Sequence, residues 1–114
     1  MQYFRNLDAW AKAHRLVLSI YGATRGLPRE EVFGITMQLR RAATAVPMRI
    51  AEACGGEAQD TSRELRKAAA MTSDLEYLVL LAGDLKLFDE SLCERLMGDI
   101  VEVRKMIFGL IRSR

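Results

Sequence analysis

Histidine, cysteine and carboxylate side chains are the groups in this sequence with which chemistry could be performed. His14 is the only histidine, so a metal cluster or a catalytic site built on two histidines is excluded. It lies on the same helical stripe as Trp10 and Val17, where a packing histidine with a hydrogen bond is a more common role than a general base. We therefore expect His14 to pack and not to catalyse.

The two cysteines, Cys54 and Cys93, are not arranged as a C-x-x-C pair. This spacing argues against a disulfide framework and against a zinc site, and it favours reduced thiols. Cys54 also falls at the end of a predicted helix, where the helix dipole disfavours the reactive thiolate. A catalytic cysteine is therefore not expected.

The carboxylates and glycines do not form a recognisable catalytic motif. Asp74 and Glu76 are two positions apart on a predicted helix, so they do not face each other. Gly55-Gly56 is not followed by the Lys-Ser/Thr of a phosphate-binding loop, and neither G-x-G-x-x-G nor G-x-S-x-G occurs. We predict that the protein is not an enzyme and uses no cofactor and no metal.

The 114 residues suit one domain spanning residues 1–114, and an apolar content of 50% with 28% charged residues is typical of globular proteins. The longest apolar run, residues 78–82, is far shorter than the roughly 20 residues of a membrane span. The first fifteen residues lack the apolar core of a secretory signal. We expect a soluble, cytoplasmic protein without a membrane partner.

Apolar residues recur every three or four positions in four segments, which predicts an all-α fold. The predicted helices cover approximately residues 7–25, 35–54, 61–86 and 89–112. Helix one carries two neighbouring apolar stripes, one through Trp10, His14 and Leu18 and the other through Ala13 and Leu16. Four helices of similar length with short connections favour an antiparallel up-down-up-down four-helix bundle.

Local signals predict where these helices begin, bend and end. Thr61 and Glu64 form a capping-box pattern at the start of helix three, and Asp89 is the expected N-cap of helix four. Pro47 predicts a kink inside helix two, because proline removes a backbone donor and clashes with the preceding turn. Gly55 is expected to end that helix in a left-handed conformation.

The apolar residues of helix three cover almost its whole circumference. Leu78, Leu80 and Leu81 point in different directions on a helix, so one bundle core cannot bury them all. The sequence therefore predicts a homo-oligomer with these three leucines at the interface between subunits. The alternative is that the outward leucines are scattered surface residues, which are common in soluble proteins.

The modest net charge of +2 conceals a strong segregation along the chain. Residues 1–49 carry an excess of five basic residues, residues 50–103 an excess of seven acidic ones, and residues 104–114 an excess of four basic ones. In the predicted bundle, one end gathers a basic rim made of Arg5, Lys12, Arg49, Arg112 and Arg114. Such a rim could bind a nucleic-acid phosphate backbone. Alternatively, these residues pair with acids of helices three and four or interact with helix dipoles.

The most distinctive stretch is G-I-T-M-Q-L-R-R-A-A at residues 34–43, followed by Val46-Pro47 and Ile50-Ala51-Glu52. With Leu7, Trp10, Ala13 and Tyr21 before it and Asp74-Leu75-Glu76 after it, this pattern resembles the bacterial 23S rRNA intervening-sequence proteins. The resemblance covers nearly the whole chain. It implies a homopentamer of four-helix subunits that binds RNA or DNA, and it extends to accessory proteins of diversity-generating retroelements.

The sequence departs from that family pattern at several places, among them Leu65 and Ala68, where the family usually has phenylalanines. Where the family usually has P-S-N-I-A-E-G, residues 47–53 read P-M-R-I-A-E-A, so Met48 and Arg49 replace a polar pair. Where the family usually ends helix three with L-G-Y-L, residues 85–88 read L-K-L-F. These changes imply that the scaffold is kept while a site built on the Ser-Asn pair has changed.

Arg40 and Arg41 point about 100° apart on a helix, so they are expected to serve different roles. One could form an ion pair with Glu52 or Glu76 across a subunit interface, and the other could contact phosphate. Two functions therefore remain open. One is an oligomer that binds RNA or DNA backbone, and the other is a scaffold that recruits a protein, such as a reverse transcriptase or a ribosome-associated factor, without binding nucleic acid.

Overall fold

Four α-helices make up most of the chain, as the apolar spacing predicts. The computed structural model describes residues 3–56 and 58–113, with the side chains of residues 58 and 59 left aside. The helices are α1 (Asp8–Thr24), α2 (Met37–Gly55), α3 (Ala58–Asp84) and α4 (Glu90–Arg112). Short 3₁₀ turns at Phe4–Asn6 and Arg29–Glu31 and a kinked segment at Val32–Thr36, in which Gly34 is not helical, complete the secondary structure of these residues, which contain no strand.

One hydrophobic core is shared by all four helices. Helix α1 packs against α2 and α4, and α3 packs against the same two helices. The most deeply buried large side chains come from every helix and are Ile20, Leu39, Ile50, Leu65, Leu75, Leu96, Ile100 and Ile107. Burying each of them stabilises the fold by about 1.5–3 kcal/mol relative to leaving it exposed. The domain measures 43 × 24 × 20 Å, and its long axis is close to the length of α3.

Helix α1 builds this core mainly from one of its two apolar stripes, although Leu7 and Val17 of the other stripe are also buried. Ala13 and Leu16 are buried, together with Ala9 and Ile20 on the same stripe. The small alanines let the α1 backbone approach its neighbours, so this stripe faces inward. On the other stripe Leu18 remains 58% exposed.

The two predicted N-terminal signals had different outcomes. Asp89 is the N-cap of α4, as predicted, because its Oδ1 atom accepts a hydrogen bond from the Leu92 amide at 2.8 Å. The capping box at Thr61 is wrong. Helix α3 already begins at Ala58, and Thr61 lies buried inside it, where its hydroxyl donates to the Ala53 carbonyl at 3.4 Å.

The left-handed helix end also occurs at an unexpected residue. Helix α2 ends at Gly55, but no glycine in the described ranges has a positive φ, so its predicted left-handed conformation is wrong. Lys86 adopts this conformation instead, with φ of 63° just after α3. The Leu87 amide donates to the Ala82 carbonyl and the Lys86 amide to the Gly83 carbonyl, which is a Schellman motif.

Helix α2 continues through Pro47, which is buried inside it, and the kink expected there stays a prediction.

None of the helices, within the described residues, combines the length and the hydropathy that crossing a membrane requires.

Candidate nucleic-acid interface

Lys12, one of the predicted rim residues, lies between two carboxylates of α4. Its Nζ atom is 3.4 Å from Asp99 Oδ1 and 3.5 Å from Glu102 Oε2, and its side chain is only 22% exposed. The charge of Lys12 is therefore compensated within its own chain. This arrangement matches the alternative in which basic helices one and two pair with acidic helices three and four.

Arg49 is also paired inside the chain. Its Nη1 atom lies 3.5 Å from Glu52 Oε2 on α2 and 3.5 Å from Glu64 Oε2 on α3. Lys67 donates a hydrogen bond to the other Glu64 oxygen at 3.1 Å. That bond, together with the nearby Lys67 and Arg49 charges, lowers the pKa of Glu64. Arg49 thus connects α2 to α3, at a position where the resembling family usually has a neutral residue.

Of the three remaining rim residues, two are exposed and one lies outside the described residues. Arg5 lies in the Phe4–Asn6 turn and Arg112 in the last turn of α4; both are exposed and form no ion pair with a described residue. Arg114 lies outside the described residues. Residues 6–9 line one pocket together with Met106, Gly109 and Leu110, so the start of α1 is near the end of α4. Of the predicted rim, Arg5 and Arg112 are the described positions available to a phosphate.

Arg40 is held in a fixed position between α1 and α2. Its Nε atom donates to the Thr24 hydroxyl at 2.9 Å, and its guanidinium lies 4.5 Å from the centre of the Tyr21 ring. The Thr24 hydroxyl in turn donates to the Ile20 carbonyl at 2.8 Å. Arg41, by contrast, is exposed. The two arginines therefore do have different roles, but sequence reasoning missed Thr24 as the partner.

Arg104 repeats this arrangement between α3 and α4. Its Nε atom donates to the hydroxyl of the buried Thr72 at 2.9 Å, and its Nη2 atom donates to Glu76 Oε1. Glu76 and Glu52, the acids considered as partners of Arg40 or Arg41, are thus occupied by Arg104 and Arg49. An ion pair of Arg40 or Arg41 across a subunit interface stays a prediction.

The three leucines predicted at an interface have different environments. Leu78 is buried in the core of its own chain and leaves little surface for another subunit. Leu81 is half-buried against the same core. Leu80 is 51% exposed, and Tyr77, one turn earlier on α3, is 59% exposed. Only Leu80 offers a large apolar surface among the three.

Trp10 and His14 form part of an exposed aromatic surface on α1. Their rings stack in parallel, with centroids 5.1 Å apart and planes inclined by 7°. The Phe4 ring packs edge-on against Trp10 at 5.1 Å. Trp10 is half-buried and His14 is exposed. The sequence predicts that His14 packs, and it does, but against Trp10 on the outside and not within the core.

The thiols are poorly suited to nucleophilic chemistry. Burial raises the pKa of Cys54 and of Cys93, and the carboxylates of Asp89 and Asp84 raise that of Cys93 further. The chain has only these two cysteines, and they form no disulfide. Within residues 3–56 and 58–113, no three histidine, cysteine, aspartate or glutamate side chains are grouped so that they could hold a metal ion.

With this geometry in place, comparison with protein families identifies the chain. The family model of the 23S rRNA-intervening sequence proteins matches residues 5–109. The chain belongs to this family. The match extends over all four helices, so the resemblance based on residues 34–43 is confirmed. No curated protein matches the chain.

A solved structure is similar to this intervening-sequence protein throughout. It is a crystal structure of a protein of unknown function from the S23 ribosomal protein family of Bacteroides thetaiotaomicron, with a TM-score of 0.80. The similarity covers 90% of this chain and 97% of the other at 20% sequence identity. At this identity the likeness supports the fold and does not extend to function.

Proposed function

We propose that this intervening-sequence protein is a non-enzymatic, homo-oligomeric scaffold whose subunit is an antiparallel up-down-up-down four-helix bundle. Cross-helix contacts support the antiparallel order. Residues 6–9 line a pocket with Met106, Gly109 and Leu110, and Lys12, further along α1, meets Asp99, further back on α4. Arg49, near the end of α2, meets Glu64 early in α3. A pentamer is the assembly that the family resemblance implies.

The observation that carries the proposal is the exposure of large apolar side chains on two helices. On α1, Leu18 is exposed on the same side as the stacked Trp10–His14 pair; on α3, Tyr77 and Leu80 are exposed. Exposed apolar patches are typical of association sites. Two different surfaces that bind each other between subunits form a heterologous contact, which can close into a ring.

Light scattering on the purified protein tests this assembly. We expect a mass several times the 12.9 kDa of one chain at micromolar concentration. Leu18→Glu and Leu80→Glu should each lower the mass, because a carboxylate in an apolar interface is costly to desolvate. Ser91→Glu places the same charge at an exposed position of α4 and is the control. Circular dichroism should report similar helicity for all variants. A wild-type mass near 12.9 kDa would contradict the proposal.

Binding of RNA or DNA backbone is a second candidate function. It is favoured by Arg5, Arg41 and Arg112, which are exposed and have no ion pair with the described residues. The ion pairs of Lys12 and Arg49 reduce the basic rim, so fewer phosphate contacts are expected than the sequence suggests. The binding would be sensitive to salt, because phosphate contacts release counterions.

Titration of structured RNA and duplex DNA at several salt concentrations tests this second function. The double variant Arg5→Gln, Arg112→Gln should reduce the slope of log K against log salt by up to about 2. Arg95→Gln, at an exposed position of α4, is the control. Absence of binding at low salt, or a flat slope for the wild type, would exclude backbone binding.

The alternative to backbone binding is that the scaffold recruits a protein, such as a reverse transcriptase or a ribosome-associated factor, without binding nucleic acid. A pull-down before and after nuclease treatment distinguishes the two functions. A protein partner that is retained after nuclease supports direct recruitment. Loss of every partner after nuclease would indicate that nucleic acid makes the connection.

A further inference from the structure

A cavity of about 480 Å³ opens beside the connection between α1 and α2. Its wall combines the last turn of α1, the residues of the connection and the first turn of α2. Three arginines line it, namely Arg25, Arg40 and Arg41, and none of its described lining residues is acidic. A cavity of this size is within the usual range for small-molecule sites.

The three arginines of this cavity form no ion pair with the described residues. Lys12, Arg49 and Arg104, by contrast, all form ion pairs. Arg40 is held by Thr24 and Tyr21, so it needs little reordering to meet a ligand. Arg25 and Arg41 are exposed and can reach an anion at the cavity mouth.

A buried hydroxyl adds a second, independent observation. Thr36 lines the same cavity and is only 5% exposed, yet its Oγ1 atom has no hydrogen-bond partner in the described part of the chain. A buried polar group without a partner costs free energy, and such groups commonly occur where a ligand or water completes the site.

The rest of the wall is apolar. Leu27 and Val32 come from the connection and Met37 from the first turn of α2, and the Tyr21 ring lies on the α1 side. An inorganic anion alone would leave this surface uncovered. A ligand with both a phosphate group and an apolar or aromatic body would use the arginines and the apolar wall together.

We propose that this cavity binds a small organic phosphate. Arg25 and Arg41 pair with the phosphate oxygens, since guanidinium groups match phosphate in geometry and charge. Arg40 adds a fixed positive charge at the wall, and the body of the ligand packs against Leu27 and Met37. The site lies within one subunit and does not depend on the proposed assembly or on backbone binding.

Isothermal titration calorimetry with three probes tests the site in the full chain. The probes are adenosine 5′-monophosphate, adenosine and inorganic phosphate. We expect saturable binding of adenosine 5′-monophosphate with one site per chain, weaker binding of phosphate, and no binding of adenosine at millimolar concentration. Equal affinity for adenosine 5′-monophosphate and phosphate would show that the apolar wall does not hold the body of the ligand, and would overturn an organic phosphate as the ligand. Absence of binding of both, or equal binding of adenosine, would overturn the proposal.

Two variants and a matched control complete the test. Arg25→Gln and Arg41→Gln should each weaken binding of adenosine 5′-monophosphate by about tenfold, the loss expected for one charge-assisted contact. Arg15→Gln removes an exposed arginine of α1 outside the cavity lining and should leave the affinity within about twofold. Light scattering should give the same mass for all variants, which separates this site from the assembly. Arginine variants that bind like the control would overturn the proposal.

Discussion

A β-carbon added to Gly83 of α3 would lie 2.8 Å from the Sγ atom of Cys93 on α4. This separation is shorter than any relaxed carbon–sulfur contact, so the two helices approach each other only because position 83 carries no side chain. The Cys93 thiol is also oriented toward the Val79 carbonyl, at 3.9 Å, which limits its freedom to move away. Gly83 is therefore needed for helix packing, although glycine disfavours a helix interior.

Gly83→Ala should lower the free energy of unfolding by about 1 kcal/mol, because the overpacking penalty exceeds the gain in helix propensity. Gly98→Ala is the matched control, since a β-carbon at this exposed position of α4 meets no atom within 4 Å. It should raise stability by about 0.5–1 kcal/mol. Urea denaturation measures both. Equal stabilisation by the two substitutions would show that α3 and α4 can separate without cost.

Lys86→Gly should raise the free energy of unfolding by about 0.5–1 kcal/mol. Lys86 has φ of 63°, a conformation that is strained for side chains with a β-carbon and free of strain for glycine. Lys105→Gly, at an exposed position inside α4, should instead lower stability by about 1 kcal/mol. Thermal and urea unfolding would detect these opposite signs.

Arg104→Gln should lower the free energy of unfolding by about 1–3 kcal/mol. The substitution leaves the buried Thr72 hydroxyl without its donor and Glu76 without its cation. Arg104→Lys should recover little of the lost stability, because one ammonium group cannot reproduce the two directed contacts of the guanidinium. Lys105→Gln, at the next and exposed position, should change stability by less than about 0.5 kcal/mol. An Arg104→Gln variant as stable as this control would show that the Thr72 contact is dispensable.

Glu64→Gln should destabilise the protein at neutral pH and much less in acid. The hydrogen bond from Lys67 and the nearby Lys67 and Arg49 charges hold the pKa of Glu64 below its usual 4.5. Because the folded-state pKa is lowered, the stabilisation is fully present above about pH 4.5 and is lost as the pH falls through the folded-state value. Thermal unfolding measured between neutral and acid pH, with the exposed Glu94→Gln as control, tests this expectation. The difference in stability between wild type and Glu64→Gln should disappear as the pH falls below the folded-state pKa. A difference that is the same at every pH would contradict the expectation.

The helices and the N-cap at Asp89 could be predicted because they depend on local spacing and on one side chain next to its own backbone. The start of α3 could not, because Thr61 is buried against the Ala53 carbonyl of α2, a contact between helices. Which residues of the two α1 stripes are buried likewise depends on the helices that pack there, since Val17 is buried and the adjacent Leu18 is exposed. The charge segregation along the sequence left two roles open for the basic residues, ion pairs within the chain or contacts with phosphate. Only the folded structure shows that Lys12 and Arg49 lie beside carboxylates.

Thr24 and Thr72 each have a single hydroxyl proton, and each donates it to a carbonyl of its own helix, Ile20 or Ala69. Only lone pairs then remain for the neighbouring helix, so the partner must be a group that donates a hydrogen bond. Arginine meets this requirement at both places, through Arg40 and Arg104. Sliding either helix pair by one turn, about 5.4 Å, would remove the donor from reach. The two hydroxyls thus set the axial alignment of α1 with α2 and of α3 with α4, which apolar packing alone specifies weakly.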